Sequence, residues 1–193
     1  MASLGYAALH LWSSKRGKQR DAARLLDGIP WRGDEHVLDV GCGHGLLLIN
    51  AAQRLTTGTA VGIDVWSQKD QWHNSPEATL ENARRAGVAD RVEVRDGDAR
   101  RLDFPDETFD VVVSSLVIHN IPGDEGRARA ISEIARVLKP GGRVAIVDIA
   151  KTNLYERELA AAPAMTDVRR SRTVLFLPTS GKVTATKAHP DPR

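Results

Sequence analysis

From residue 36 onward, short continuous apolar runs alternate with longer stretches in which apolar and polar residues share the turns of a helix. That alternation is the pattern of a parallel sheet with crossover helices. The runs predict strands over residues 36–40, 60–65, 91–95, 109–116 and 143–149, and the intervening stretches predict helices over 46–55, 76–86 and 124–138. The run at 60–65 is apolar enough to be buried on both faces, as a central parallel strand is. Ser75 and Pro76 read as N-cap and first helical residue, and Gly87 as a helix stop. Lys139-Pro140-Gly141-Gly142 ends the later helix. Beyond residue 149 the pattern weakens to a helix over 154–162 and strands near 168–176 and 182–186. With no repeat and no linker, the organisation predicted is an N-terminal helical segment (1–30), one α/β domain (31–188) and a frayed tail (189–193).

The junction of the first strand and first helix carries the most chemistry. Val37-Leu38-Asp39-Val40 opens into Gly41-Cys42-Gly43-His44-Gly45, with glycine at every second position, and an apolar helix follows at once. Glycines there let a ligand approach backbone N–H groups with no Cβ in the way. A dinucleotide fingerprint would require glycine at 46, which is Leu46, and no Gly-Lys-Ser/Thr run marks a phosphate-gripping loop. The motif is D-x-G-x-G-x-G, and a carboxylate at the strand end suits a ligand with positive charge. Asp64 ends the second strand about twenty residues beyond the turn, where a carboxylate accepts hydrogen bonds from a ribose diol. Val65 and Trp66 follow it and offer an apolar wall for a base, although loop packing explains the tryptophan equally well.

Size and composition narrow the classes. A chain of 193 residues is most simply one domain with a sizeable core. A net charge of +2 is too small to argue for a nucleic-acid partner. The single cysteine, Cys42, excludes an internal disulfide and fits a reducing cytoplasm. It has no paired base and reads as a small filler of the turn. The histidines form no H-x-x-x-H or Cys-His cluster, so no metal is expected. No apolar run reaches the length of a membrane span. Residues 2–12 are apolar and precede Lys15, Arg16, Lys18 and Arg20. They read as an amphipathic helix that folds over the ligand site, with a membrane-anchor remnant as the alternative.

The motif D-x-G-x-G-x-G, followed in order by Asp64 and by Asp98-Ala99 after the third strand, resembles the class I S-adenosylmethionine-dependent methyltransferases. The resemblance implies a Rossmann-like three-layer sandwich. Its seven-stranded, mostly parallel sheet would run 3-2-1-4-5-7-6, with an antiparallel edge hairpin and the cofactor at the switch between strands 1 and 4. It implies S-adenosylmethionine as cofactor and S-adenosylhomocysteine as product. Gly41, Cys42, Gly43 and Gly45 would form the cradle, Asp39 would act on the cationic methionine end, Asp64 and Val65 would hold the ribose and base, and Asp98 and Ala99 would bond the adenine.

Ser115 and His119, in Ser114-Ser115-Leu116-Val117-Ile118-His119-Asn120, fall where the family places residues between cofactor and acceptor. His119 is the titratable group there able to take a proton near neutral pH; its competing reading is a ring bonded to a neighbouring carbonyl that only shapes the pocket. Tyr6 and Trp12 of the N-terminal segment would close the substrate side. The sequence lacks the Asn/Asp-Pro-Pro-aromatic run of amino-group methylation on bases and glutamine, and the cysteines of pyrimidine-carbon and arsenic methylation. A small-molecule acceptor is therefore expected. Two rivals stand beside it: a non-catalytic cofactor-binding module, and a same-fold transferase moving another group such as aminopropyl.

Overall fold

The computed structural model describes residues 22–67, 73–173 and 180–190. In chain order the elements are β1 (His36–Val40), α1 (Leu46–Ala52), β2 (Thr59–Asp64), α2 (Pro76–Arg85), β3 (Val92–Asp96), β4 (Phe109–Ser115), α3 (Asp124–Val137), β5 (Leu138–Asp148), α4 (Thr152–Ala161), β6 (Met165–Thr173) and β7 (Ser180–Lys187). They form one seven-stranded sheet in the order β3-β2-β1-β4-β5-β7-β6. The first five strands pair in parallel, while β7 runs antiparallel to both β5 and β6. The strand order implied by the family resemblance is thus the one observed.

The alternation of side chains along the central strands feeds two cores. Leu38 and Val40 of β1 and Val112 of β4 face a core shared with α3 and α4, built on Ile131, Ile134, Tyr155 and Leu159. Val37, Val111 and Val113 face the opposite side, where Leu47, Leu48 and Ala51 of α1 pack. Residues 22–27 are helical, and Ala22, Leu25, Leu26 and Ile29 are buried in this second core. The Trp31 indole N–H fixes that segment by donating to the Leu26 carbonyl at 2.9 Å. Tyr6, Trp12 and the rest of the expected cover lie outside the described residues. Among the described residues no helix is long and apolar enough to cross a membrane.

Local signals act as read in α2, where Ser75 Oγ accepts the Ala78 N–H at 3.2 Å and Pro76 occupies the first turn. Three boundaries differ most from the pattern. Helix α1 stops at Ala52, and Leu55, apolar enough to prolong it in sequence, instead drops into the core from the following turn. Strand β5 begins at Leu138, directly out of α3: Leu138 already pairs with Phe109, and a register break follows before Arg143 pairs with Val111. Strand β6 begins at Met165, earlier than the pattern shows, because Met165 and Thr166 already pair with Lys187 and Thr186 ahead of an irregularity at Asp167, whose positive φ (51°) breaks the alternation. At the start of the expected tail, the His189 ring packs over Gly141.

The topology places the site. After β1 the chain crosses to one side of the sheet to build β2, and it returns past β3 to enter β4 on the other side of β1. The carboxyl ends of β1 and β4 therefore feed loops in opposite directions and leave a crevice between them. How tightly α1 is pressed against β2 can be tested at Gly62. A Cβ there would lie 2.7 Å from Leu48 Cδ2 and 2.8 Å from Cys42 Sγ. Gly62→Ala is expected to cost about 1–3 kcal/mol in urea unfolding, and unchanged stability would show that the contact is not tight.

Candidate functional site

The glycine turn leaves β1 with positive φ at Gly41 (76°), Gly43 (49°) and Gly45 (84°), a backbone path that side chains with Cβ resist. At Gly41 the restriction is doubled, since a Cβ would sit 2.3 Å from Val117 Cγ1. The turn is stitched to the neighbouring strand: the Gly41 and Cys42 N–H groups donate to the Ile63 carbonyl at 2.8 and 3.0 Å. Thr79 of α2 donates its hydroxyl to the Gly43 carbonyl at 2.5 Å, and the Asn82 side chain donates to the His44 carbonyl at 3.0 Å. Cys42 is buried, and burial among carboxylates raises its thiol far above the usual range. It is inert filler there.

Asp64, at the tip of β2, is the hub of this arrangement. Its Oδ2 accepts the Gly43 N–H at 2.9 Å, while Oδ1 accepts the Trp66 N–H at 2.7 Å and the Asn74 amide at 3.1 Å. The ribose-type acid read from the sequence thus also fixes the glycine turn. Asn74 is a residue that sequence reasoning missed; it only precedes a helix cap there, and nothing local links it to Asp64. Val65 is 64% exposed on the crevice wall, which suits an apolar wall awaiting a flat ligand. Trp66 turns away from that wall, its indole N–H donating to Asp96 at 2.6 Å and its ring packing on the core.

Asp39 is almost fully buried, and its Oδ2 accepts the Leu48 N–H at 2.9 Å. Helix α1 has no side-chain cap of its own at Gly45, so a carboxylate from β1 satisfies one of its free donors. Burial pushes Asp39 up to about 7, the Leu48 N–H opposes this, and the nearby Asp64 charge raises it again.

On the far side, Asp98 and Ala99 follow β3 and line the crevice. Asp98 does not stand open. Arg100 donates Nε to both of its oxygens at 3.0 Å, Nη2 to Oδ2 at 2.5 Å, and its backbone N–H to Oδ1 at 2.9 Å. The guanidinium holds Asp98 below the usual carboxylate range.

The β4 end supplies the remaining wall through Ser115, Leu116, Val117, Asn120, Ile121 and Pro122. His119 is not part of that wall. Its backbone N–H donates to Asp148 Oδ2 at 3.0 Å, and its Nδ1 lies 2.5 Å from Asp148 Oδ1. The neighbouring carbonyl expected as its partner is replaced by a buried carboxylate.

Together, Asp39, Gly41, Cys42, Gly43, Asp64, Val65, Asp98, Ala99 and Ser115 surround one cavity of about 430 Å³. Gly45 sits behind it as the residue before α1, where a Cβ would lie 2.9 Å from Thr79 Cγ2. Among the described residues no group of three His, Cys, Asp or Glu side chains is placed to hold a metal ion.

Comparison with known proteins places these features in context. Residues 38–146 match the family model described as a methyltransferase domain. The chain is 37% identical over 126 residues to a demethylmenaquinone methyltransferase of Symbiobacterium thermophilum, covering 63% of this chain and 45% of that protein. It is 36% identical over 125 residues to the 27-O-demethylrifamycin SV methyltransferase of Amycolatopsis mediterranei, covering 65% and 42%. The chain thus spans less than half the length of these relatives. Among solved structures, the cyclase SpnF superposes with a TM-score of 0.71 at 21% identity, over 88% of this chain and 81% of that one, a likeness of fold.

The raised Asp39 has a measurable consequence. In the unfolded chain an aspartate titrates near 4, whereas the folded group keeps its proton to about 7. Between these values the native state binds more protons than the unfolded one, so this group's contribution to stability falls as pH rises through the window. Asp39→Asn keeps an oxygen for the Leu48 N–H and removes the charge. Urea unfolding should find it close to wild type near pH 4 and more stable than wild type near pH 8. A stability difference that does not grow with pH would contradict this.

Proposed function

The chain belongs to the methyltransferase-domain family, and from that premise we propose that it binds S-adenosylmethionine and transfers a methyl group to a small-molecule acceptor, releasing S-adenosylhomocysteine. The observation that carries the proposal is the Asp64–Gly43 contact, which brings a strand-end carboxylate and a glycine turn onto one wall of the β1–β4 crevice. The cavity fits such a group. It lies within the ~300–1,000 Å³ range of small-molecule sites, and Asp64 and Asp98 both line it, with exposed Val65 beside Asp64. When bound, the cofactor supplies a methyl group on a positively charged sulfur, an electrophile for in-line displacement.

The protein's work is then binding, alignment and exclusion of water. Asp64 accepts from the ribose diol, and Asp98 with the Ala99 N–H takes the adenine edge, with Arg100 yielding a place on the carboxylate. Val65 covers the base. The turn from Gly41 to Gly45 receives the methionine end, where Asp39 and Asp64 favour positive charge. Leu116, Val117, Ile121 and Pro122 keep the acceptor side dry, while Ser115 and Asn120 offer it hydrogen bonds. Both curated relatives are named for methylating small molecules, in keeping with an acceptor of that class. A near-neutral charge balance and a lone cysteine favour a cytoplasmic protein without a nucleic-acid partner. An aminopropyl transferase would want additional acids along the β4 wall, where Ser115, Leu116 and Val117 stand.

Calorimetry with S-adenosylhomocysteine tests the proposal. Asp64→Ala should lose about 2 kcal/mol or more, the effect of removing charge-assisted hydrogen bonds to a diol. Wild-type affinity in the variant would remove Asp64 from the site.

The N-terminal segment, with Tyr6 and Trp12, is assigned the cover of the substrate side. Hydrogen exchange over residues 4–12 should slow when S-adenosylhomocysteine binds, and deletion of residues 1–12 should weaken the ligand more than the fold. Equal protection with and without ligand would leave a permanently docked helix instead.

A further inference from the structure

Asp148, the last residue of β5, is fully buried and takes no part in the cavity wall. Yet it gathers four partners. Oδ2 faces the His119 N–H at 3.0 Å and the Tyr155 hydroxyl at 3.1 Å. Oδ1 faces the Ile149 N–H at 2.8 Å and His119 Nδ1 at 2.5 Å. An ionised carboxylate offers about four lone-pair sites, so each is matched by one neighbour. The Nδ1 contact is close rather than well directed as a hydrogen bond. At that separation, however, two lone pairs would repel, and a proton must lie between them. Two of the other three neighbours are backbone N–H groups that can only donate; they work against the burial that raises Asp148, and with them the carboxylate has acceptors to offer and the imidazole is the group left to hold the proton.

The same turn is held from its other side. Arg127 of α3 donates Nη2 to the His119 carbonyl at 3.0 Å and pairs through Nη1 with Asp124 at 2.7 Å; Asp124 in turn meets Lys151 Nζ at 2.9 Å. His119 is therefore fixed at its N–H, its carbonyl and its ring. The residues around it, Val117, Asn120 and Ile121, line the part of the cavity assigned to the acceptor.

We infer that Asp148 is a positioning residue acting through His119: it fixes the turn 118–120, whose neighbours Val117, Asn120 and Ile121 line the cavity, and holds the imidazole as the Nδ1–H tautomer, leaving the free lone pair on Nε2. A neutral imidazole carries one proton, and the nitrogen that bears it is set by the partner of the ring. Burial pushes Asp148 up from the usual carboxylate range, and His119, the two N–H donors and Tyr155 oppose that while aiming the carboxylate. The assignment of this wall to an acceptor rests on the methyltransferase reading; the tautomer does not.

The test is the long-range 1H–15N spectrum of the imidazole rings in the full chain near neutral pH, with the His119 signal identified by its loss in His119→Gln. A protonated Nδ1 with an unprotonated Nε2 is expected. Asp148→Asn should abolish that bias, whereas Tyr155→Phe, which removes one outer donor, should preserve it. A wild-type His119 protonated on Nε2, or an unchanged signature in Asp148→Asn, would overturn the inference. Since the wild-type spectrum decides on its own, the test survives even if Asp148→Asn fails to fold. If Asp148→Asn does fold, its affinity for S-adenosylhomocysteine should stay within about twofold of wild type, as for a group outside the cavity. A larger loss would place Asp148 in the cofactor site and overturn the positioning role. Failure of the wild type to bind S-adenosylhomocysteine would sink the cofactor reading, and with it the acceptor assignment of the wall. An Nε2-protonated His119 in a chain that does bind would sink this inference alone.

Discussion

The hydrogen bond from the Gly43 N–H to Asp64 is the constraint on which the site depends. A turn with three left-handed glycines loses more chain entropy on ordering than ordinary residues do. It keeps one shape because the neighbouring strand supplies acceptors for it: the Ile63 carbonyl takes two N–H groups and Asp64 takes the third. Thr79 and Asn82 close the other side through the carbonyls of the turn. The ligand-facing loop is therefore shaped before any ligand arrives, and the cost of ordering it belongs to folding rather than to binding.

That arrangement brings two carboxylates close together in a poorly hydrated place. Asp39 caps α1 from beneath while Asp64 fixes the turn, and the Asp64 charge adds to the burial that makes ionising Asp39 costly. A chain selected for stability alone would gain by replacing the ionisable group at Asp39 with a neutral one. A cationic ligand at the crevice would relieve the repulsion. The costly Asp39 and the proposed function therefore meet at the same crevice, a common pattern at sites that trade stability for binding.

What was legible in the sequence was what is local. The glycine turn, the strand end at Asp64, Asp98 just beyond β3, and the Ser75–Pro76 helix start all announce themselves within a few residues, and the strand order follows from alternation together with the family pattern. Contacts that cross the fold gave no such signal. Asp148 lies 29 residues beyond His119, and only the parallel pairing of β4 with β5 brings their ends together. Asn74 reaches Asp64 from a loop ten residues away, and Thr79 looks like any small residue on a buried helix face. The Arg100–Asp98 pair was local but ambiguous, because neighbouring opposite charges on a loop are more often solvated than joined. Leu55 misled for the opposite reason: burial, not helix, accounts for its apolar character.

The outer strand has a consequence of its own. Among the described residues strand β6 pairs with β7 on one side only, so its other edge presents backbone groups that invite a strand from another molecule. Arg169, Arg170 and Arg172 stand exposed along it, and among the described residues Asp167 and Glu156 pair with only the first two. Two copies meeting edge to edge would bring these arginines together, and the guanidinium groups would have to give up water against like charge. The strand that completes the sheet thus also guards against its growth into an aggregate.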